Sequence, residues 1–284
     1  DLHSFPTRRS SDLPTAGDSG DGMQLTGTLF SSLSAILGNE IATFPDYPAE
    51  IRAPQGTVSG VSGFQVNVGS GINTPGDHAD VLVVMNPAAL QVNKNILKPL
   101  GVVIYDADSF GKKDLEKAGF TTENPFVELG FKDTVQIIPV PLTSLTVKSL
   151  EGFGMDMKSM TRSKNMFALG LICWLFNREL DKAQHFLANK FAKKPDLLKA
   201  NAKVLEDGFN YGHNLHLNIS TFMVAKSDQL EKGKYTIISG NKATAFGLIA
   251  AAEKSGLQLF LGSYPITPAV GRSEERRVGK ECRS

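Results

Sequence analysis

Three short apolar runs, DVLVVMN (Asp80 to Asn86), GVVIYDAD (Gly101 to Asp108) and VQIIPVPL (Val135 to Leu142), restrict the fold more than any other feature of this chain. They are apolar on consecutive rather than alternate residues, as strands buried on both faces are, and helix-length segments separate them. Strands alternating with helices imply an α/β layer fold with a mostly parallel sheet. A further segment, Gly63 to Ser70, places Phe64, Val66 and Val68 at alternate positions and reads as a half-buried strand. Ahead of it, Leu25, Leu29, Leu33, Ile36 and Leu37 recur at helical spacing, and Gly38-Asn39 closes that helix as a C-cap.

From Ser163 to Gly208 the pattern becomes helical: an apolar run at Met166 to Phe176, then Leu180 to Phe191, then a helix that Pro195 starts. Phe209 to Lys234 is polar and irregular and reads as a linker between domains. After it, Gly240-Asn241 opens a helix of small residues (Ala243, Gly247, Ala250, Ala251, Ala252), Gly256 stops it, and Leu257 to Tyr264 reads as a strand.

The two ends carry a different signature. The last thirteen residues, Arg272 to Ser284, can be written in DNA whose reverse complement translates as DLHSFPTRRSSDL, which is Asp1 to Leu13 in order. Folding gives no reason for that relation, whereas an adapter joined to both ends of a DNA fragment does. Residues 1–13 and 272–284 therefore read as translated adapter, and Pro14 to Gly271 as a fragment of a longer protein, of the kind metagenomic assembly produces. On this reading the strand that should precede the glycine-rich segment is lost.

Without those ends, 30 Lys and Arg against 29 Asp and Glu fall to 23 against 24, so charge gives no argument for nucleic acid or an anionic membrane. Of the 2 cysteines, Cys282 belongs to the adapter and Cys173 stands alone in an apolar run. This excludes a disulfide framework and any zinc or iron–sulfur site built from the chain's own cysteines, and points to a reducing, cytoplasmic setting. The same run falls well short of the roughly 20 apolar residues that span a bilayer.

Three segments carry candidate chemistry. GDSGDG (Gly17 to Gly22) matches neither the lysine phosphate loop nor the dinucleotide fingerprint. Its Gly17, Ser19, Gly20, Asp21 and Gly22 either present backbone N–H groups to an anion at a helix start, or form a tight turn in which Asp18 or Asp21 caps the helix. FPDYPAEIRAP (Phe44 to Pro54) is either a rigid loop with a solvated Glu50 and Arg52, or a loop facing another subunit with Phe44 and Tyr47 as anchors. In YPITP (Tyr264 to Pro268), Thr267 is either a ligand contact after a strand or an N-cap before a proline. His185, His213 and His216 receive no role, and the sequon at Asn218 carries no meaning in a cytoplasmic protein.

Taken in order, GDSGDGMQLTG, TFPDYPAEIRAP, GVSGFQV, DVLVVMNPAAL, ISGNKATAFGLIAAA and GSYPITPA resemble the alpha subunit of 2-oxoacid:ferredoxin oxidoreductases, with a gamma domain fused ahead of the alpha domain. The GDSGDG and PAEIRAP variants look most like the 2-oxoglutarate type. The resemblance implies a three-layer gamma domain at 14–208, a linker at 209–234 and the truncated start of the thiamine-diphosphate-binding (pyrimidine) α/β domain at 235–271. It implies thiamine-dependent oxidative decarboxylation of a 2-oxoacid to an acyl-coenzyme A, with single electrons passing through an iron–sulfur cluster to ferredoxin.

Thr267, flanked by Tyr264, Pro265, Ile266 and Pro268, would then lie beside the substrate carboxylate and cofactor. Gly17 to Gly22 becomes a candidate coenzyme A contact. Thiamine diphosphate with Mg²⁺ would be shared with a beta subunit that also carries the iron–sulfur cluster. Lys242 departs from the acidic residue usual after the Gly-Asn pair, and the glutamate that bonds the cofactor would fall beyond Gly271. The polypeptide as written is expected to oxidise no 2-oxoacid, even with a beta subunit. The alternative is a non-catalytic α/β binding module of the same fold.

Overall fold

Each of the apolar runs forms a strand of a single six-stranded sheet, in a computed structural model that describes residues 7–48, 53–131, 134–215, 221–231 and 233–262. The chain divides into two compact units between Leu230 and Glu231. The first begins with β1 (Thr7–Arg8), β2 (Ser10–Asp18), α1 (Met23–Ile36), β3 (Glu40–Asp46), β4 (Val61–Gly69), β5 (Ala79–Val84), α2 (Pro87–Asn93) and β6 (Leu97–Asp106). It continues through α3 (Lys112–Lys117), α4 (Pro125–Glu128), β7 (Gln136–Val140), α5 (Leu142–Ser149), α6 (Met157–Thr161), α7 (Lys164–Leu175), α8 (Leu180–Lys190), α9 (Pro195–Asn214) and β8 (Met223–Val224). The second unit contains α10 (Gly240–Ser255), opened by the Ser239 hydroxyl and ended by Gly256 in the left-handed region.

The sheet order is β3-β4-β2-β5-β6-β7. Strands β2, β5, β6 and β7 run parallel, and β4 lies antiparallel to both of its neighbours. Every residue of β5 is buried, and its side chains alternate between two cores. Val81 and Val83 face a core with Phe30, Ile104 and Phe167, whereas Leu82 and Val84 face one with Ala89, Val103 and Phe126. Each such side chain contributes roughly 1.5–3 kcal/mol when fully buried, so the central strand only makes sense covered on both sides. The result is a three-layer α/β architecture.

Helices α7 and α9 cross at backbone contact. A Cβ on Gly170 would lie 2.2 Å from the Leu205 carbonyl oxygen, and one on Gly208 would lie 2.2 Å from that of Phe167. The helix α9 continues to Asn214, past the Phe209 at which the sequence reads as irregular. Packing explains the extension, since Gly212 lies against the Trp174 ring with no room for a Cβ.

Two other expectations need correction. Residues 257–262 form no strand, and Leu257 and Phe260 are exposed. A strand's main-chain groups require a neighbouring ladder, and the described residues supply none there. Conversely, the strand before the glycine-rich segment is present: β2 includes Ser10 to Leu13 from the run that reads as adapter. Ladder hydrogen bonds come from the main chain, so the pairing of Ser10 to Leu13 depends little on which residues they are, and Leu13 fills the core.

The side chain of Asp12 bears the cost. It is 3% exposed, accepts a bond of 2.8 Å from Gln65, and has one oxygen with no partner among the described residues. Burial, aided by repulsion from Asp80 and Asp77, pushes its pKa up to about 7. A raised folded-state value means that this group supports folding below its ordinary value of 3.8 and withdraws that support as pH climbs through about 7. Asp12→Asn is therefore expected to stabilise the chain by about 1–3 kcal/mol at neutral pH in urea denaturation, and to flatten the decline between mildly acidic and neutral pH. Gly170→Ala should destabilise by about 3 kcal/mol, because backbone rather than a flexible side chain stands in the way.

Candidate functional site

Parallel strands deliver their carboxyl ends to one edge of a sheet, where α/β proteins usually place their ligands. Here β2 ends at Asp18, β5 leads into Met85-Asn86, and β6 ends at Asp106. Each of these polar residues meets main chain that has just left the ladder. Asn86 caps α2, its Oδ1 accepting from the Ala89 N–H at 2.8 Å, with Pro87 next in line. Asp106 is fully buried and accepts from the Thr143 hydroxyl at 2.8 Å and the Ser109 hydroxyl at 3.0 Å. Asp108 accepts from the Ser144 N–H at 2.7 Å, so the two acids together hold the start of α5.

The glycine-rich segment turns between β2 and α1. The Asp21 N–H donates to the Asp18 carbonyl at 2.9 Å, and the Asp18 N–H donates back to the Asp21 carboxylate at 2.9 Å. Neither acid caps α1, contrary to the turn reading of the sequence. The capping position is Gly22, with φ of 75° and no side-chain bond. Glycine is required there twice over, since a Cβ would also lie 2.5 Å from the Asn165 amide nitrogen. Gly20, by contrast, has open space around it, and it is exposed together with Ser19.

The acids of the segment are already engaged. Lys164, the first residue of α7, lies 2.8 Å from Asp21 and 3.9 Å from Asp106, and is itself largely buried. Asp18 receives the Gly56 N–H on both carboxylate oxygens, each at 3.1 Å. Burial raises the Asp18 pKa, and repulsion from Asp21 adds to this against the Gly56 bond. Gly56 stands two residues after the proline-rich segment, and Lys117 donates to the intervening Gln55 carbonyl at 3.3 Å. The structure thus brings the glycine-rich segment, the ends of two apolar runs and the tail of the proline-rich segment to one place.

Of the residues singled out from sequence, Gly17, Ser19, Gly20, Asp21 and Gly22 lie at this edge. Glu50, Arg52, Tyr264, Pro265, Ile266, Thr267, Pro268 and His216 fall outside the described residues. His213 packs edge-on against Phe209. Among the described residues no group of three or more His, Cys, Asp or Glu is placed to hold a metal ion. Cys173 is fully buried, which pushes its thiol up to about 12 and leaves it inert. Sequence reasoning missed Lys164, Asp106, Asn86 and Gly56. A visible signal existed for two of them: the polar residue that ends an apolar run, as in VVMNP and VVIYD.

A family model described as pyruvate ferredoxin/flavodoxin oxidoreductase matches residues 13–211. The chain belongs to this family. The 2-oxoglutarate oxidoreductase subunit KorA of Mycobacterium tuberculosis is 46% identical over 94% of the chain, which spans 41% of that relative. The 2-oxoglutarate:ferredoxin oxidoreductase of Magnetococcus marinus, solved with 2-oxoglutarate, coenzyme A and succinyl-CoA bound, superposes with a TM-score of 0.70 at 26% identity. That match covers 96% of this chain and 43% of the other. A keto/oxoacid ferredoxin oxidoreductase gamma subunit from Geobacter sulfurreducens PCA, 16% identical with a TM-score of 0.50, shares the fold over 72% of this chain and 99% of its own length. The chain therefore spans less than half the length of the first two. No helix of the described residues is long and apolar enough to cross a membrane.

Lys164 neutralises one carboxylate directly and faces a second, so its removal leaves both without a cation. Lys164→Met is expected to lower the unfolding free energy by about 1–3 kcal/mol in denaturant titrations.

Proposed function

We propose that this chain is part of the alpha subunit of a 2-oxoacid:ferredoxin oxidoreductase that oxidatively decarboxylates a 2-oxoacid, 2-oxoglutarate before pyruvate, to its acyl-coenzyme A. The observation that carries the proposal is identity of 46% to a 2-oxoglutarate oxidoreductase subunit across 94% of the chain. The domain assignment belongs to the same reading: a gamma domain at 14–208, a linker at 209–234, the start of a pyrimidine-binding domain at 235–271, and adapter-derived ends.

The described residues do not fit every group that such a reaction needs. A diphosphate with Mg²⁺ would face Asp18, Asp21, Asp106 and Asp108, with only Lys164 among them to offset their charge, and that lysine is already paired. An iron–sulfur cluster needs several thiolates, and the described residues offer one inert thiol. The proposal accordingly assigns thiamine diphosphate to a site shared with a beta subunit, and the cluster to that subunit alone. Thiamine diphosphate, when bound, supplies the carbanion chemistry of the decarboxylation.

Thr267 is assigned to the substrate carboxylate, held by Tyr264, Pro265, Ile266 and Pro268. Glu50 and Arg52 are assigned to the subunit interface. Coenzyme A fits the glycine-rich segment through main chain: Asp18 and Asp21 turn inward to their own partners, leaving Ser19 and Gly20 exposed. Electrons leave to ferredoxin, and the setting is cytoplasmic.

The test is a hybrid. Residues 14–271 replace the matching segment of the Mycobacterium tuberculosis relative, which is coexpressed with its partner subunit and assayed for 2-oxoglutarate- and coenzyme A-dependent viologen reduction. Turnover should be retained with 2-oxoglutarate preferred over pyruvate, and Thr267→Val should lower kcat/KM by about 10²-fold. A folded hybrid that oxidises no 2-oxoacid overturns the proposal. The unfused chain is expected to show no turnover.

A further inference from the structure

The two motifs at the carboxyl edge are joined through one side chain. Asp18 ends β2, and its carboxylate takes the Gly56 N–H on both oxygens at 3.1 Å. The Asn86 amide adds a weaker polar contact from the start of α2. The Asp18 N–H donates to Asp21, which Lys164 holds from α7 at 2.8 Å. A chain of contacts, Lys164 to Asp21 to Asp18 to Gly56, thus runs from a helix through the glycine-rich segment to the tail of the proline-rich one.

A carboxylate is the group this junction requires. Gly56 and Asn86 both present donors, since the Asn86 Oδ1 is occupied by the Ala89 N–H. Asparagine at position 18 would accept on one side only and would set its own NH₂ against a donor on the other. The Gly56 backbone has φ of 77°, in the left-handed region that favours glycine. Burial makes the arrangement costly, and the sheet does not need it, because Asp18 is the last residue of β2 and ladder pairing uses main chain rather than its carboxylate.

We infer that Asp18 is a positioning residue, which fixes the proline-rich segment against the glycine-rich turn so that the exposed Ser19-Gly20 main chain is held ready for coenzyme A. The coenzyme A part rests on the reading proposed above. Asp18 touches no reacting atom in this scheme; it acts through Gly56 and Asp21.

The experiment compares wild type, Asp18→Asn, and the exchange Asp18→Asn with Asn86→Asp, which restores donor to acceptor across the junction and keeps a capping oxygen for Ala89. Hydrogen exchange is followed at Gly56 and, as a control for global unfolding, at Val81 to Val84. Asp18→Asn should accelerate exchange at Gly56 about tenfold with the β5 amides unchanged, and the exchanged pair should recover most of the loss. Coenzyme A titrated calorimetrically into the same proteins should bind about tenfold more weakly to Asp18→Asn and recover in the exchanged pair. Unaltered Gly56 exchange in Asp18→Asn overturns the positioning role, as does a folded exchanged pair that recovers nothing. Binding of coenzyme A that ignores Asp18 while Gly56 responds overturns its link to the ligand. Absence of binding to wild type refutes the coenzyme A reading itself and leaves the junction standing on the exchange data.

Discussion

Strand β5 is buried on both faces, and the remaining architecture follows from that constraint. A strand with Val81 and Val83 in one core and Leu82 and Val84 in the other needs helices above and below it. Crossover helices in turn force its neighbours β2 and β6 to run parallel to it, and β7, beyond β6, runs the same way. Four parallel strands then finish on the same edge. Where each leaves the ladder, main-chain groups lose their partners, and Asn86, Asp106 and Asp108 supply replacements. The polar edge is thus a consequence of the apolar centre.

That origin bears on what the edge can do. Acidic residues gathered at the carboxyl ends of strands suggest a cation site, but here they serve as caps and joints: Asp106 and Asp108 for α5, Asp18 for Gly56, Asp21 for the turn. Lys164 is spent within the cluster. What the turn offers outward is the Ser19-Gly20 main chain, which can approach the amide and hydroxyl groups of a ligand without bringing a charge. At Gly20 neither backbone conformation nor neighbouring atoms require glycine.

The sheet was legible because consecutive apolar residues over a strand's length have few other solutions, and Asp80 to Asn86, Gly101 to Asp108 and Val135 to Leu142 all became strands. Edge strand β3 was not legible. Glu40–Asp46 is half exposed and contains Pro45, so it has neither the alternation nor the apolar run that marks a strand, and only pairing with β4 creates it. The end of α9 was hidden for a related reason. Polar and glycine residues from Phe209 to Asn214 look irregular until Trp174 is seen against Gly212. At the site, the glycine-rich turn could be found from its composition, whereas Lys164 and Gly56 carry no local signal. Their roles arise from Asp21 and Asp18, 143 and 38 positions away. Kinship to the family was readable because it draws on motifs along the whole chain, not on any one contact.

Strands β2 and β6 hold three aspartates with the same chemistry and different outcomes. Asp106 is entirely buried but is the last residue of β6, and hydroxyl and N–H donors from Ser109 and Thr143 in the segments beyond the strands reach it. Asp18, at the end of β2, finds a free N–H in Gly56. Asp12 lies within the same strand, where main-chain donors are committed to the ladder, so a single amide from Gln65 must serve it and one oxygen goes without a partner. Depth alone does not set the cost of a buried carboxylate; the supply of uncommitted donors does. A β ladder accepts almost any residue into its main-chain pattern, but it has no donors left for an acid in its middle. On that argument Asp12 is a residue the sheet tolerates and Asp18 is one it uses.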